Sequence, residues 1–434
     1  GDATALLKIN DNTLVLNGSI TGGGKLGIIA TSNLELYGSE PTLIFDGSEI
    51  NNLTIEYSSA TELDPNTLNL TGNLTINGDL NLVGDFDELA LDGNTLTLVG
   101  TMLGLGPLQG DKDATLVISD TGNDDLFLTI MGALDVLDLN RDANVTLETF
   151  TTGLEVNTLN LDEGSLVLNE QSVTVLDSYT RTNGVFSGDE FAQLFFKGNT
   201  SGDLVFDPAG ATLGTLNIDE TTGTFIIKTD MTLYGAEVYS GTLVTDTDVE
   251  VTFGYIQNAA TITLGANAEV TNAFSMTNGT ADFNVGAHTF TFGGTITGAE
   301  LLGINAGATS TLIFNGSDEF DFPSNITELY DLTINRIGGV NLAGNLEVKN
   351  TLTLTSGNFF IDDNTLTINK AIEGTPANLT ADANSTLVVA GSGTGIQIPA
   401  LVDLKELTLN NTNGATLLGA IKIWDKLTLT AGVL

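Results

Sequence analysis

Short apolar/threonine alternations, broken every few residues by Gly, Asn or Asp, fill the chain from end to end. Asn94-Thr95-Leu96-Thr97-Leu98, Thr261-Ile262-Thr263-Leu264 and Thr351-Leu352-Thr353-Leu354 are representative. In a strand successive side chains face opposite ways, so Leu and Ile share one face and Thr takes the other. The β-branched residues favour that conformation, and the Gly, Asn and Asp breaks supply turns. No long segment carries a helical period. The best helix candidate, residues 326–332, runs straight into the alternating Leu332-Thr333-Ile334. The pattern therefore predicts an all-β protein of short strands.

The alternation is itself repeated. Residues 310–359 align without a gap to 385–434, so Ser310-Thr311-Leu312 matches Ser385-Thr386-Leu387, and Leu352-Thr353-Leu354 matches Leu427-Thr428-Leu429. Looser copies of the opening phrase start near residues 41, 114 and 202. Inside the large repeat, Leu312, Leu332 and Leu352 are evenly spaced by 20, and Leu387, Leu407 and Leu427 by the same interval. That interval suits one coil of a parallel β-solenoid (β-helix), with two or three strands per rung and Gly, Asn or Asp at the corners. The expectation is one elongated solenoid over residues 1–434, with roughly 20 rungs and a rod of about 100 Å at ~4.8 Å per rung. Tandem immunoglobulin-like sandwiches would need more aromatic residues than 6% and separable units. A leucine-rich repeat, which Leu404-Lys405-Glu406-Leu407-Thr408-Leu409 resembles locally, would need helices that have no counterpart here.

Composition narrows the function classes. There are 55 acidic residues against 13 basic ones, a net charge of −42. A mean hydropathy of +0.18 nevertheless provides for a core. Nucleic-acid binding needs Lys and Arg to displace counterions, and this charge opposes it. With no Cys and a single His, His288, zinc, iron–sulfur and thiol chemistry lack ligands. No apolar run approaches the ~20 residues of a membrane span. The absence of Cys excludes a disulfide scaffold but not secretion. Gly1 in place of Met reads as a mature chain whose targeting segment has been removed, which permits export.

The phrase from Leu332 through Thr333, Ile334, Gly338, Gly339, Val340, Leu342, Gly344, Leu346, Val348 and Leu352 to Gly357 resembles repeats of large exported bacterial surface proteins. The β-helical, adhesin-like stalks of the Bacteroidota are nearest in style. The resemblance is clear over residues 310–434 and diffuse elsewhere. It implies an extracellular, elongated, structural or adhesive role at the cell surface, and it carries no functional residue across.

Chemistry-bearing residues are sparse. Asp124-Asp125 and Asp362-Asp363 are carboxylate pairs of the kind a polysaccharide-acting β-helix enzyme would use, but adjacent residues point apart, and solvated corners account for them. His288 lies in Ala287-His288-Thr289, a context that gives it no partner. Asp85/Asp87, Asp111/Asp113 and Asp246/Asp248 place carboxylates two apart on one face of an extended segment, and are the candidates for calcium. No other cofactor is expected. The Thr pairs 95/97, 261/263, 289/291, 351/353 and 365/367 would suit an ice-binding face only if they aligned between rungs. Trp424 aligns with Lys349, and Tyr330 with Lys405, so both aromatics are expected at the surface, available to another chain or a glycan. Leu434 aligns with Phe359, midway through a repeat, which makes it a third interface candidate. An uncapped solenoid end would expose backbone edges and apolar ladders, the starting point for head-to-tail association into a filament. The reading that follows is a non-enzymatic extracellular protein, a filament subunit or adhesin stalk. Its rivals are a polysaccharide-acting β-helix and an ice- or surface-binding solenoid.

Overall fold

Alternation becomes coiling once each strand pairs with the strand about 20 residues further on. The computed structural model describes all residues except 1–4, 19–23, 38–42, 58–65, 121–123, 149–152, 210, 257–259, 277–280, 299–302, 402 and 433–434. Among the described residues every strand pairing is parallel, and a single 3-10 turn, Pro376–Asn378, is the one helical element. The chain is a β-solenoid of about 19 stacked turns. Its residues cluster into two compact units, 1–223 and 224–434. The helix candidate at 326–332 is a buried Ile326 followed by the strands Glu328–Leu329 and Asp331–Arg336.

In the first unit one inward column runs Leu74, Leu96, Leu116, Leu137, Leu159 and Tyr179, each paired with the next. All are buried, and each fully buried Leu contributes about 1.5–3 kcal/mol relative to exposure. Early turns use short strands. A five-stranded sheet of Thr13–Leu16, Asn33–Leu36, Asn52–Ile55, Leu80–Leu82 and Met102–Gly104 forms one wall. Later turns bend within continuous strands as long as Ala133–Glu148 and Leu154–Val167.

In the second unit, from Thr311 on, three short strands make a turn. Thr311–Gly316, Phe320–Phe322 and Glu328–Leu329 belong to three different sheets. One column runs Phe290, Leu312, Leu332, Leu352 and Ile372, as the 20-residue spacing predicted. Alongside it Phe292 stacks on Phe314 with ring centroids 4.9 Å apart and planes 9° from parallel. Leu387, Leu407 and Leu427 also form a column, but on a different sheet from Leu312. The large repeat thus steps by about three turns and part of a fourth, and moves its phrase from one wall to another. Any wall accepts the same strand, because each needs only one apolar face.

The corners are held by buried polar groups on the inward phase of the alternation. Ser32, Ser310 and Ser385 are all buried. Each hydroxyl accepts from the backbone N–H three residues earlier and donates to a carbonyl one turn away, at Asn10, Gly286 and Asp362 respectively. Those three acceptor residues have φ of 52°, 62° and 50°, which turns the carbonyl toward the hydroxyl. This corner explains why the repeats open on Ser310 and Ser385.

Two arginines perform the same task with more reach. Arg141 and Arg336 are each 1% exposed. Arg336 Nη1 donates to Gly294 O at 2.8 Å and Asn315 O at 2.6 Å, while Nε donates to Asp318 O at 2.5 Å, so one side chain ties carbonyls from successive turns. Arg141 donates likewise to Gly100 O and Asp124 O. Burial pulls the Arg336 pKa down and Asp318 pushes it back, but a guanidinium stays charged. Gly316, at φ 119°, is required beside it, because a Cβ there would lie 2.7 Å from Arg336 Nη1. Asn411, the repeat equivalent of Arg336, is fully buried and donates to Gly393 O at 2.9 Å. Replacing Arg336 by Met would strand these carbonyls in the interior. Arg336→Met is expected to lower the unfolding free energy by roughly 3 kcal/mol in a urea titration. An unchanged midpoint would show that the carbonyls find other donors.

Candidate functional site

The surface chemistry sits on outward strand positions and on the turns, and most of it is spent on holding turns together. Corner Asp and Asn side chains accept backbone N–H groups from neighbouring turns. Asp230 accepts from Asp248 N, Asp248 from Asn267 N, and Asn267 from Thr289 N, at 3.1, 3.1 and 2.9 Å. On the strands, amides stack along the coil, with Asn335 Nδ2 donating to Asn315 Oδ1 at 3.2 Å and Ser356 donating to Asn335 Oδ1 at 2.8 Å.

The calcium candidates fall into this scheme. Asp111 accepts from Gly93 N and Asp113 N at 2.7 and 2.8 Å, and Asp113 faces solvent beside Lys112. Asp87 is buried and accepts from Tyr57 N and Gly84 N, while Asp85 is exposed, so that pair does not converge. Asp246 is ion-paired with Lys228 at 2.5 Å, and Asp248 belongs to the corner ladder. Among the described residues no three or more His, Asp or Glu side chains are grouped so as to hold a metal ion.

Of the carboxylate pairs, Asp124 and Asp125 are both exposed, and Asp124 lends its carbonyl to Arg141. Asp362-Asp363 lies on an acidic edge with Asp382, Asp321 and Glu319. Burial, then those charges, raises the Asp362 pKa. Asp382 is held below the usual carboxylate range by the Ser385 hydroxyl, and its Oδ1 also accepts the backbone N–H groups of Asn384 and Ser385. His288 is half-buried at a turn, its carbonyl accepting from Thr311 N at 3.0 Å. The Thr pairs do not align between turns, since at most one Thr of each pair faces a Thr on the next turn. Thr95 faces Thr115 but then Val136, and Thr97 faces Val117 and then Asp138.

Trp424 is 57% exposed on the strand Ile423–Ala431, as its alignment with Lys349 predicted. Its indole Nε1 donates to Asp403 Oδ1 at 2.8 Å. Lys422 Nζ lies 3.5 Å from the ring centroid and 3.6 Å from Asp403, so an ion pair brackets one face of the ring. Tyr330 is 45% exposed, and its backbone bonds the turns on either side through Ser310 O and Asn350 N. Leu434 lies outside the described residues.

Two features escaped the sequence reading. A cleft of about 630 Å³ is lined by Glu347, Lys349, Asn369, Lys370, Glu373 and the Gly391–Thr394 loop. There Lys349 pairs with Glu347 at 2.7 Å and Glu328 at 3.3 Å, which lowers the Glu347 pKa and raises that of Lys349. The second feature is Asp138, an outward residue whose Oδ1 is buried without a hydrogen-bond partner. Burial first, then the charge of Asp162, raises its pKa, and Asn160 opposes the shift.

A carboxyl whose folded pKa exceeds its unfolded value costs stability at neutral pH and returns it as pH falls through the folded pKa. Asp138→Asn is expected to raise stability at pH 7 by on the order of 1 kcal/mol in urea melts. The gain should close below the unfolded pKa of about 3.9. Destabilisation at pH 7 would contradict the reading. Trp424 is the sole tryptophan, so its fluorescence reports its restraint directly. Combining Lys422→Ala with Asp403→Ala should free the ring and lower its steady-state anisotropy, and an unchanged value would mean that other contacts fix it.

No known protein family, curated protein or solved structure matches this chain.

Proposed function

We propose that the chain is a non-enzymatic structural protein of the bacterial cell surface, a filament subunit or adhesin stalk that associates by end-to-end stacking of turns. The observation that carries the reading is that each turn is held to its neighbours by parallel strand pairing and by inward columns such as Leu312, Leu332, Leu352 and Ile372. A second copy that continued this register would be held by the same two interactions. A net charge of −42 opposes sideways packing of two copies. Extracellular placement rests on the repeat style, and a glycan is the alternative ligand for Trp424.

A polysaccharide-acting β-helix is the second reading, favoured by the raised Asp362 beside the lowered Asp382, since such splitting marks acid and base roles. The hydrogen bonds that occupy Asp382 favour the structural reading. Negative-stain images and size-exclusion chromatography of the 434-residue chain are expected to show end-to-end strings. Stable monodisperse monomers without strings would remove the filament reading.

A further inference from the structure

Leu, Ile, Val or Phe fills most inward positions of the coil, and the three successive turns that begin at Met231, Val249 and Ala268 depart from that rule. The column Ala236, Gly254 and Phe274 starts with two residues that occupy almost no space. Thr245 holds an inward place that Leu264 takes on the next turn, and it is 4% exposed. Its hydroxyl, like that of Thr247 just past the strand, is buried without a hydrogen-bond partner. A cavity of about 40 Å³ lies here, lined by Leu243, Thr245, Gly254, Leu264, Val270 and Phe274 among others. Walls so largely apolar give a water molecule too few partners to fill it. The strand ladder is interrupted at the same place. Val251 pairs with Val270 but Phe253 with Ala273, so Ala268–Met276 carries one extra residue. Beyond this point the packing closes again, because Phe274 meets Phe283, Phe290 and Phe292 edge-on at centroid distances of 5.5, 5.7 and 5.3 Å.

We infer that these three turns are a yield point, a joint at which the coil opens while the turns beyond it stay folded. In a solenoid each turn touches only its neighbours, so stability is a sum over interfaces and is not shared along the chain. Dispersion contacts missing at the cavity, two orphaned hydroxyls and a broken ladder all weaken the same few interfaces. Tension along the coil loads every interface in series, and the weakest parts first. A joint of this kind lets the chain lengthen under load and reclose without losing the rest of its structure. It is a property of the packing and holds whichever role the chain serves.

Hydrogen–deuterium exchange of the full chain in low urea, read by mass spectrometry on peptic fragments, tests the inference. Fragments from Met231–Thr245, Val249–Ile256 and Ala268–Met276 are expected to exchange about tenfold faster than those from Thr311–Gly316 and Asp331–Arg336. Thr245→Val keeps the side-chain shape and removes one orphaned hydroxyl. It should slow exchange in the three strands about fivefold and leave Thr311–Gly316 unchanged. Ala133–Glu148 and Leu154–Val167 are the internal comparison, since Asp138 Oδ1 and Ser165 Oγ there are also buried without partners. Earliest exchange in that pair of strands would overturn the proposal. So would no effect of Thr245→Val, or an effect spread evenly over every fragment, which would mean that the coil opens as one body.

Discussion

Register between successive turns is the constraint on which everything else in this molecule depends. A single turn of about 20 residues has two or three short strands and no core of its own. Its backbone N–H and C=O groups point along the coil axis, where only the turns before and after can pair them. Once those ladders form, side-chain period and turn length together stack Leu on Leu, as in Leu312, Leu332 and Leu352. A one-residue slip would put Thr333 and Thr353 inside and Leu332 and Leu352 in water.

That dependence also explains where the polar residues are. The inward phase at a corner meets carbonyls that no strand can satisfy, so Ser32, Ser310, Ser385, Asn411, Arg141 and Arg336 occupy inward positions and donate to them. At outer corners, Asp and Asn accept the N–H groups of adjacent turns. Much of the acidic surface is therefore a hydrogen-bonding frame as well as a coat of charge. This is why carboxylates that look like metal ligands on paper, such as Asp111 and Asp87, have their oxygens already committed to backbone donors.

The coil, its 20-residue turn and the exposure of Trp424 were all legible, because each follows from strand parity and spacing. The buried arginines were legible too, in principle. Leu137-Asp138-Leu139-Asn140-Arg141 and Leu332-Thr333-Ile334-Asn335-Arg336 put both on the inward phase, but a charged residue type argued for the surface. What spacing could not show was which wall each phrase occupies, because all walls accept the same alternation. The cleft around Lys349 and Lys370 was hidden for a related reason, since its residues come from three different turns.

A double-mutant cycle on Leu332 and Leu352 tests the stacking account most directly. The two are paired on adjacent turns, and both are fully buried. If inward columns act through nearest-neighbour contact, Leu332→Ala and Leu352→Ala should each destabilise by roughly 2–5 kcal/mol. The pair should then deviate from additivity by about 0.5 kcal/mol or more in urea unfolding. Strict additivity of the two losses would contradict the claim that the columns hold the turns in register.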